Sequence, residues 1–263
     1  MRHALLSILL LLLLSSHLNA GDDFCGLRNK TFVSGEMITF KVFYTLGFYV
    51  AAGEAVFNVN LERMNNKPVY HITADGKTFN FYDSFFKVRD KYESFIDTAT
   101  LQPLKFIRNI YEGGYKKYEN VTFNQTTNTA ISTEGTIPVP NCIQDVISSI
   151  YYARNIDFSK YKVDDKIPFS MYLGNEVLNL YIRYLGKETV RTKKGKFNAI
   201  KFKPLLVKGT VFEGGEKLTV WVSDDGNHIP LRVESPISVG SIKVDMMDCR
   251  NLRYPLSSLI TSK

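Results

Sequence analysis

The chain has few of the residues that mark the commoner chemistries. Of its 263 residues only four are His and three are Cys. His3 and His17 lie in the leading segment, which leaves His71 and His228 for the body of the chain. Neither has a second His or Cys at ligand spacing, so no metal site is legible. Cys25, Cys142 and Cys249 contain no C-x-x-C pair, which removes the redox and zinc motifs built on that spacing. A nucleophile elbow G-x-S-x-G is missing, and Gly240-Ser241 stands in a strand pattern instead. The phosphate-cradling patterns G-x-G-x-x-G and Walker A are missing too, and no cofactor is expected. Tryptophan occurs once, at Trp221. Beyond the first 20 residues no run is long and apolar enough to span a bilayer as a helix. The balance is basic, +7 at neutral pH, but the lysines stand singly between Tyr, Phe and Asn. Their nearest approach to a cluster, Lys193-Lys194-Gly195-Lys196, reads as a hairpin turn, so nucleic acid is not an expected partner.

What is present begins with an export signal. Arg2 and His3 form a short basic start, Ala4 to Leu14 is a leucine-rich run, and Ser15 to Ala20 is small and polar. Residues 1–20 therefore read as a signal peptide cleaved after Ala20, with 21–263 as a single β-rich exported domain. Cys25 follows Asp22-Asp23-Phe24 rather than a small-residue lipobox, which argues against a lipoprotein. Export leads to an oxidising compartment, where three cysteines allow one disulfide and one thiol, in any of three pairings.

Most of the mature chain alternates with period two. Ile38, Phe40, Val42 and Tyr44 alternate with Thr39, Lys41 and Phe43, and Ala55, Phe57, Val59 and Leu61 repeat the pattern. Asn65-Asn66, Gly113-Gly114 and Asp224-Asp225-Gly226-Asn227 supply turns. The expected class is all-β: an antiparallel meander, half-barrel or barrel of about twelve strands. One stretch breaks the rhythm. Ile143, Val146, Ile147, Ile150 and Tyr151 fall at i, i+3, i+4, i+7 and i+8, which predicts one central α-helix over 142–155. Asn141 is its expected N-cap, with Gln144 reaching back, and Gln144, Asp145 and Ser148 are expected to face water.

Aromatic residues are plentiful, 15 Tyr and 18 Phe. Phe79, Phe81, Tyr82, Phe85 and Phe86 lie together between two strands, and with Tyr151 on the helix they are the expected lining of a ligand groove. The ordinary alternative is a core cluster under a crossover. Asp224-Asp225 is the obvious carboxylate pair, yet its turn context accounts for it.

Several motifs in order resemble an exported domain-of-unknown-function family, number 3108, found in Bacteroides-like bacteria. They are Gly35-Glu36 leading into Thr39-Phe40-Lys41-Val42; Lys87-Val88-Arg89-Asp90-Lys91-Tyr92; Ile96-Asp97 through Leu101-Gln102-Pro103; Trp221-Val222-Ser223-Asp224-Asp225; Ile229-Pro230-Leu231-Arg232-Val233-Glu234; and Gly240-Ser241-Ile242-Lys243-Val244. The resemblance implies a periplasmic β half-barrel of the YmcC-like type wrapped near a helix, and it carries no catalytic residues. It also implies that Cys25 pairs with Cys142. In a source of that kind, Asp97-Thr98-Ala99 fits a short O-glycan acceptor pattern, with Thr98 as acceptor.

The expected function is a non-catalytic envelope protein that binds a lipid, a glycan or an outer-membrane assembly partner on a curved, aromatic-rich sheet. A pure protein-interaction scaffold is the first alternative. A glycan or ester hydrolase, which needs two acids or a Ser/His pair converging in a cleft, is the second.

Overall fold

The computed structural model describes residues 25–45, 48–206, 214–237 and 240–260. The signal peptide expected over 1–20, and a strand expected over Val207–Phe212, lie outside them.

Among the described residues fifteen strands form one antiparallel sheet. The first run is β1 (Met37–Thr45), β2 (Tyr49–Met64), β3 (Lys67–Thr78), β4 (Val88–Asp97), β5 (Pro103–Glu112), β6 (Tyr115–Asn124), β7 (Thr129–Ser132) and β8 (Gly135–Pro138). The second is β9 (Lys166–Leu173), β10 (Glu176–Thr192), β11 (Gly195–Pro204), β12 (Thr219–Ser223), β13 (Pro230–Pro236) and β14 (Ser241–Arg250), with β15 (Leu259–Ile260) beside β11. Each run is a meander, and β1 pairs with β14 to join them into one sheet with β8 and β9 at its edges. Local chemistry sets the hairpins. Asn65 and Asn66 both take positive φ, 48° and 67°, the two-residue turn that matches strand twist and that Asn tolerates.

The two edge strands do not pair, so the sheet is a half-barrel. Side chains span the gap instead. Glu119 on β6 accepts from the Gly174 N–H of the β9–β10 turn at 3.0 Å, and Phe123 meets Tyr172 edge-on with ring centroids 5.5 Å apart. An open edge would template aggregation, and this covering blunts it.

Strand register sorts the sheet into two faces. One row of direct partners, Val59, Ile72, Ser94, Phe106 and Val121, is fully buried and marks the inner face. Over that row lies the helix, here α2; the crossover between β3 and β4 holds a four-residue helix, α1 (Asp83–Phe86). The observed α2 is Val146–Ala153, shorter than the 142–155 that the apolar spacing predicts. Cys142 has φ 58°, outside helical space. Gln144 extends the sheet instead: it pairs parallel with Met171 on β9, with its N–H on Ser170 O at 3.0 Å and its O accepting from Tyr172 N–H at 2.7 Å. Asp145, not Asn141, is the N-cap. Its Oδ1 accepts from the N–H groups of Ile147 and Ser148, both at 2.8 Å, while Ser148 Oγ accepts from the Asp145 N–H at 2.7 Å. Gln144, Asp145 and Ser148 are fully buried rather than facing water, because the start of α2 packs inside the curve of the sheet, between Ser94 of β4 and Met171 of β9.

The N-terminal segment closes the lower side of α2. Cys25 is bonded to Cys142, with Cα atoms 5.5 Å apart, and Leu27 N–H donates to Tyr152 Oη at 3.0 Å. Phe32 packs edge-on against Tyr151, with centroids 4.9 Å apart.

Candidate functional site

Above α2 the inner face changes character. The next row of register partners is Phe57, Ala74, Tyr92, Arg108 and Glu119, and the row beyond is Ala55, Gly76, Asp90, Ile110 and Lys117. Phe57, Tyr92, Ala55 and Asp90 are only half-buried. Across the other run and onto β1, a continuous row of partners, Phe202, Val220, Val233, Val244 and Val42, begins with a core phenylalanine and so faces the same side. Its four valines are half-buried as well. On α2 itself Val146, Ile150 and Ala153, one stripe at i, i+4 and i+7, are half-buried, whereas Ile147, Tyr151 and Tyr152 on the opposite stripe are sealed in the core. The half-barrel is thus filled below and at the helix, and its apolar inner surface meets solvent above.

One wall of this upper space is polar. The Asp90 carboxyl hydrogen-bonds that of Glu112, and burial, then the neighbouring Glu112 charge, pushes its pKa up to about 7. Tyr92 beside them is pushed up to about 12, first by burial and then by the charges of Asp90 and Glu112. Arg108 Nε donates to Glu119 Oε2 at 2.6 Å and carries the chain of polar contacts to the closing edge. Sequence reasoning missed this pair. The available signal was register: Asp90 alternates with Tyr92, Ser94 and Ile96, which puts a carboxylate on the inward face.

The aromatic residues expected to line a groove divide. Tyr151 is buried in the core and offers no surface. Phe79 and Tyr82 are half-buried. Phe81 and Phe85 project to solvent, 74 % and 77 % exposed, and Phe86 is exposed beside Gly113. Phe85 and Phe86 belong to α1, which carries no buried residue, so the crossover does not form the core cluster that was the ordinary alternative. Thr98 sits in the β4–β5 turn, where its Oγ1 donates to Pro68 O at 3.3 Å and Asp97 Oδ1 accepts from the N–H groups of Ala99 and Thr100. That is an Asx-turn, sufficient to explain Asp97.

The residues that would serve a hydrolase stay apart. His71 lies between Glu62 and Glu93 on the outer face, stacked on Phe95. His228 Nδ1 bonds Arg154 O at 2.7 Å, and burial lowers its pKa. Neither has a Ser or Cys partner among these bonds. The described residues contain no group of three or more His, Cys, Asp or Glu able to hold a metal. Asp225 of the Asp224-Asp225 pair is a turn brace: it accepts from Ser223 Oγ, Asn227 N–H and Ser258 Oγ.

Residues 39–247 match the model of a family described as protein of unknown function, DUF3108. The chain belongs to that family. Among curated proteins nothing matches. A solved structure similar to this DUF3108 chain is a β-barrel-like protein of domain-of-unknown-function family DUF1849 from Brucella abortus. It shares 7 % identity at a TM-score of 0.54, over 86 % of this chain and 100 % of that one. The fold read from sequence and resemblance, a mostly antiparallel β half-barrel around a helix, holds for the DUF3108 chain. Two looser neighbours are a protein described as exported, with a YmcC-like fold, from Bacteroides fragilis (11 % identity, TM-score 0.33, 86 % of this chain and 100 % of that one) and one described as a lipoprotein from Parabacteroides distasonis (14 %, 0.35, 85 % and 100 %). Both overlay too loosely to bear on the fold.

Proposed function

We propose that this chain is a non-catalytic protein exported to the periplasm, and that it holds an apolar ligand, an acyl chain or lipid, in the upper half of the half-barrel. One observation carries the reading: an inner face that should be dry is only partly buried from Val42 across to Val220 and over the upper stripe of α2. Apolar side chains facing inward gain little unless something covers them, and a ligand would do so. Arg108, Tyr92 and the Asp90–Glu112 pair give the same space one polar wall, suited to a headgroup. The helix is then the floor of the site.

The leader over 1–20 and the Cys25–Cys142 bond support export, since such bonds persist in oxidising compartments.

Native mass spectrometry tests the reading on protein released from the envelope without detergent. The mature chain should carry an adduct of lipid mass. Val233→Arg or Val244→Arg should remove it, while Asn60→Arg, on the exposed outer face of β2, should keep it. A wild-type spectrum free of adduct, with no uptake of added fatty acid, would sink the proposal. The hydrolase reading retains one favourable observation, the Asp90–Glu112 pair. Turnover of a glycan or ester substrate that is lost in Glu112→Gln would establish it in place of binding.

A further inference from the structure

The strands of the first meander run alternately up and down, so the β1–β2, β3–β4 and β5–β6 connections all fall at one end of the sheet. It is the upper end, the mouth of the space above α2. Each connection ends in bare aromatic surface. Phe48, 71 % exposed, and Tyr49 stand at the first; Phe81 and Phe85 at the second; Tyr115, 48 % exposed, beside the Gly113-Gly114 turn at the third. Exposed aromatic side chains are ordinary when single. Five or more gathered at one end, on three separate connections, are not.

The charges around them have one sign in surplus. Lys87 and Lys116 are exposed and share the ring of Tyr111, at 5.9 Å and 5.5 Å. Lys243 Nζ lies 3.6 Å from the centroid of Tyr49 but is already paired with Asp245 at 3.5 Å. The neighbouring acids are already answered. Asp83 is held by both Nη groups of Arg89, and Glu54 by Lys77 at 3.0 Å. Glu112 turns inward to Asp90. What remains is a crown of aromatic tips backed by the exposed ammonium groups of Lys87 and Lys116.

We propose that this crown docks the protein, mouth down, on an anionic lipid bilayer. The shape favours a fluid partner. The aromatics project from the tips of separate connections: Phe85 stands on a four-residue helix with no buried side chain of its own, and Phe81 on the turn that leads into it. A folded protein partner would have to supply a matching hollow for each tip, whereas headgroups and upper acyl carbons flow around all of them. Phe and Tyr suit that interface because their rings enter the acyl boundary while Tyr keeps its hydroxyl at headgroup level. The lysines lie one layer back, where anionic headgroups sit. The docking is separate from the ligand reading, because the tips lie outside the half-barrel and need no ligand within it.

Sedimentation of the mature chain with vesicles is the test. Vesicles of phosphatidylglycerol and phosphatidylethanolamine should carry the protein down, and vesicles of phosphatidylcholine alone should not. Raising salt should release it, as expected for charges within a Debye length of the surface. Phe81→Ser/Phe85→Ser should weaken binding by ~10-fold or more, from the loss of two apolar anchors. Lys87→Glu/Lys116→Glu should abolish the preference for the anionic vesicles. Both pairs are exposed, so circular dichroism should match wild type. Val244→Arg, which empties the inner site, should bind vesicles normally; this separates a failure of docking from a failure of ligand binding. Wild-type protein that stays in the supernatant, or a Phe81→Ser/Phe85→Ser protein that binds as wild type does, overturns the proposal.

Discussion

Arg154 at the end of α2 grips Glu36 of the N-terminal segment in a two-pronged ion pair, Nη1 to Oε1 at 2.5 Å and Nη2 to Oε2 at 2.8 Å. Both side chains are buried, 2 % and 0 % exposed. The guanidinium also donates twice to Asn227 O in the β12–β13 connection, and it lies over the rings of Tyr151 and Phe32 at 5.0 Å and 5.5 Å. Helix, N-terminal segment and second meander thus meet at one cation. Removing a single partner strands a buried charge. Arg154→Met should cost about 3–5 kcal/mol in urea unfolding, and Glu36→Leu added to it should restore much of the loss. Equal stability of wild type and Arg154→Met would show that the pair holds nothing.

The Cys25–Cys142 bond closes a separation of 117 residues. A loop of that size restricts the unfolded chain by about 4–5 kcal/mol on the entropy model. Reduction, or Cys25→Ser/Cys142→Ser, should lower stability by an amount of that order, while Cys249→Ser should leave it nearly unchanged. Burial raises the Cys249 thiol pKa. In the unreduced chain one thiol should therefore react with a maleimide, slowly when folded and fully in denaturant.

Asp145 starts α2 and also accepts from Ser94 Oγ on β4 at 2.6 Å, fixing the helix to the sheet. Asp145→Ala removes a cap and leaves a buried hydroxyl unpaired. The expected cost is ~2–3 kcal/mol by thermal or urea unfolding. Asp145→Asn should cost less, because it keeps an acceptor for the first turn.

Asp90 makes stability depend on pH with a definite sign. Its carboxyl goes from an ordinary 3.8 to about 7, chiefly by burial and then by Glu112. Between those values the folded chain keeps a proton that the unfolded chain has released, so stability falls as pH rises through the window and levels off above it. Asp90→Asn should therefore match wild type near pH 4 and exceed it near pH 8, by roughly 1–2 kcal/mol once solvent screening is allowed for. Parallel stability profiles for the two proteins would refute the assignment.

The strands were legible because a sheet with one dry face imposes a period of two. Ile38, Phe40 and Val42 show it before any contact is known. Turns such as Asn65-Asn66 were legible because few residues tolerate positive φ. The helix was only partly so. Ile143 fits the apolar stripe, but Gln144 joins β9, and a pairing partner distant in sequence overrides a local period. The upper site was less legible still. Phe81 and Phe85 could be named, but not whether they would be buried, and Asp90 and Glu112 meet only through the β4–β5 register.

The sequence by itself determined the antiparallel meander, the place of the α2 helix and the want of metal or nucleophile motifs, because these follow from patterns read within a few residues. Tertiary structure decided the curl of the sheet, and with it which half of the interior fills. It turned Asp145 inward, brought Glu36 to Arg154, and set three aromatic connections at one mouth. Those outcomes depend on how far each strand bends and what lies across from it, which is a property of the whole sheet rather than of any stretch.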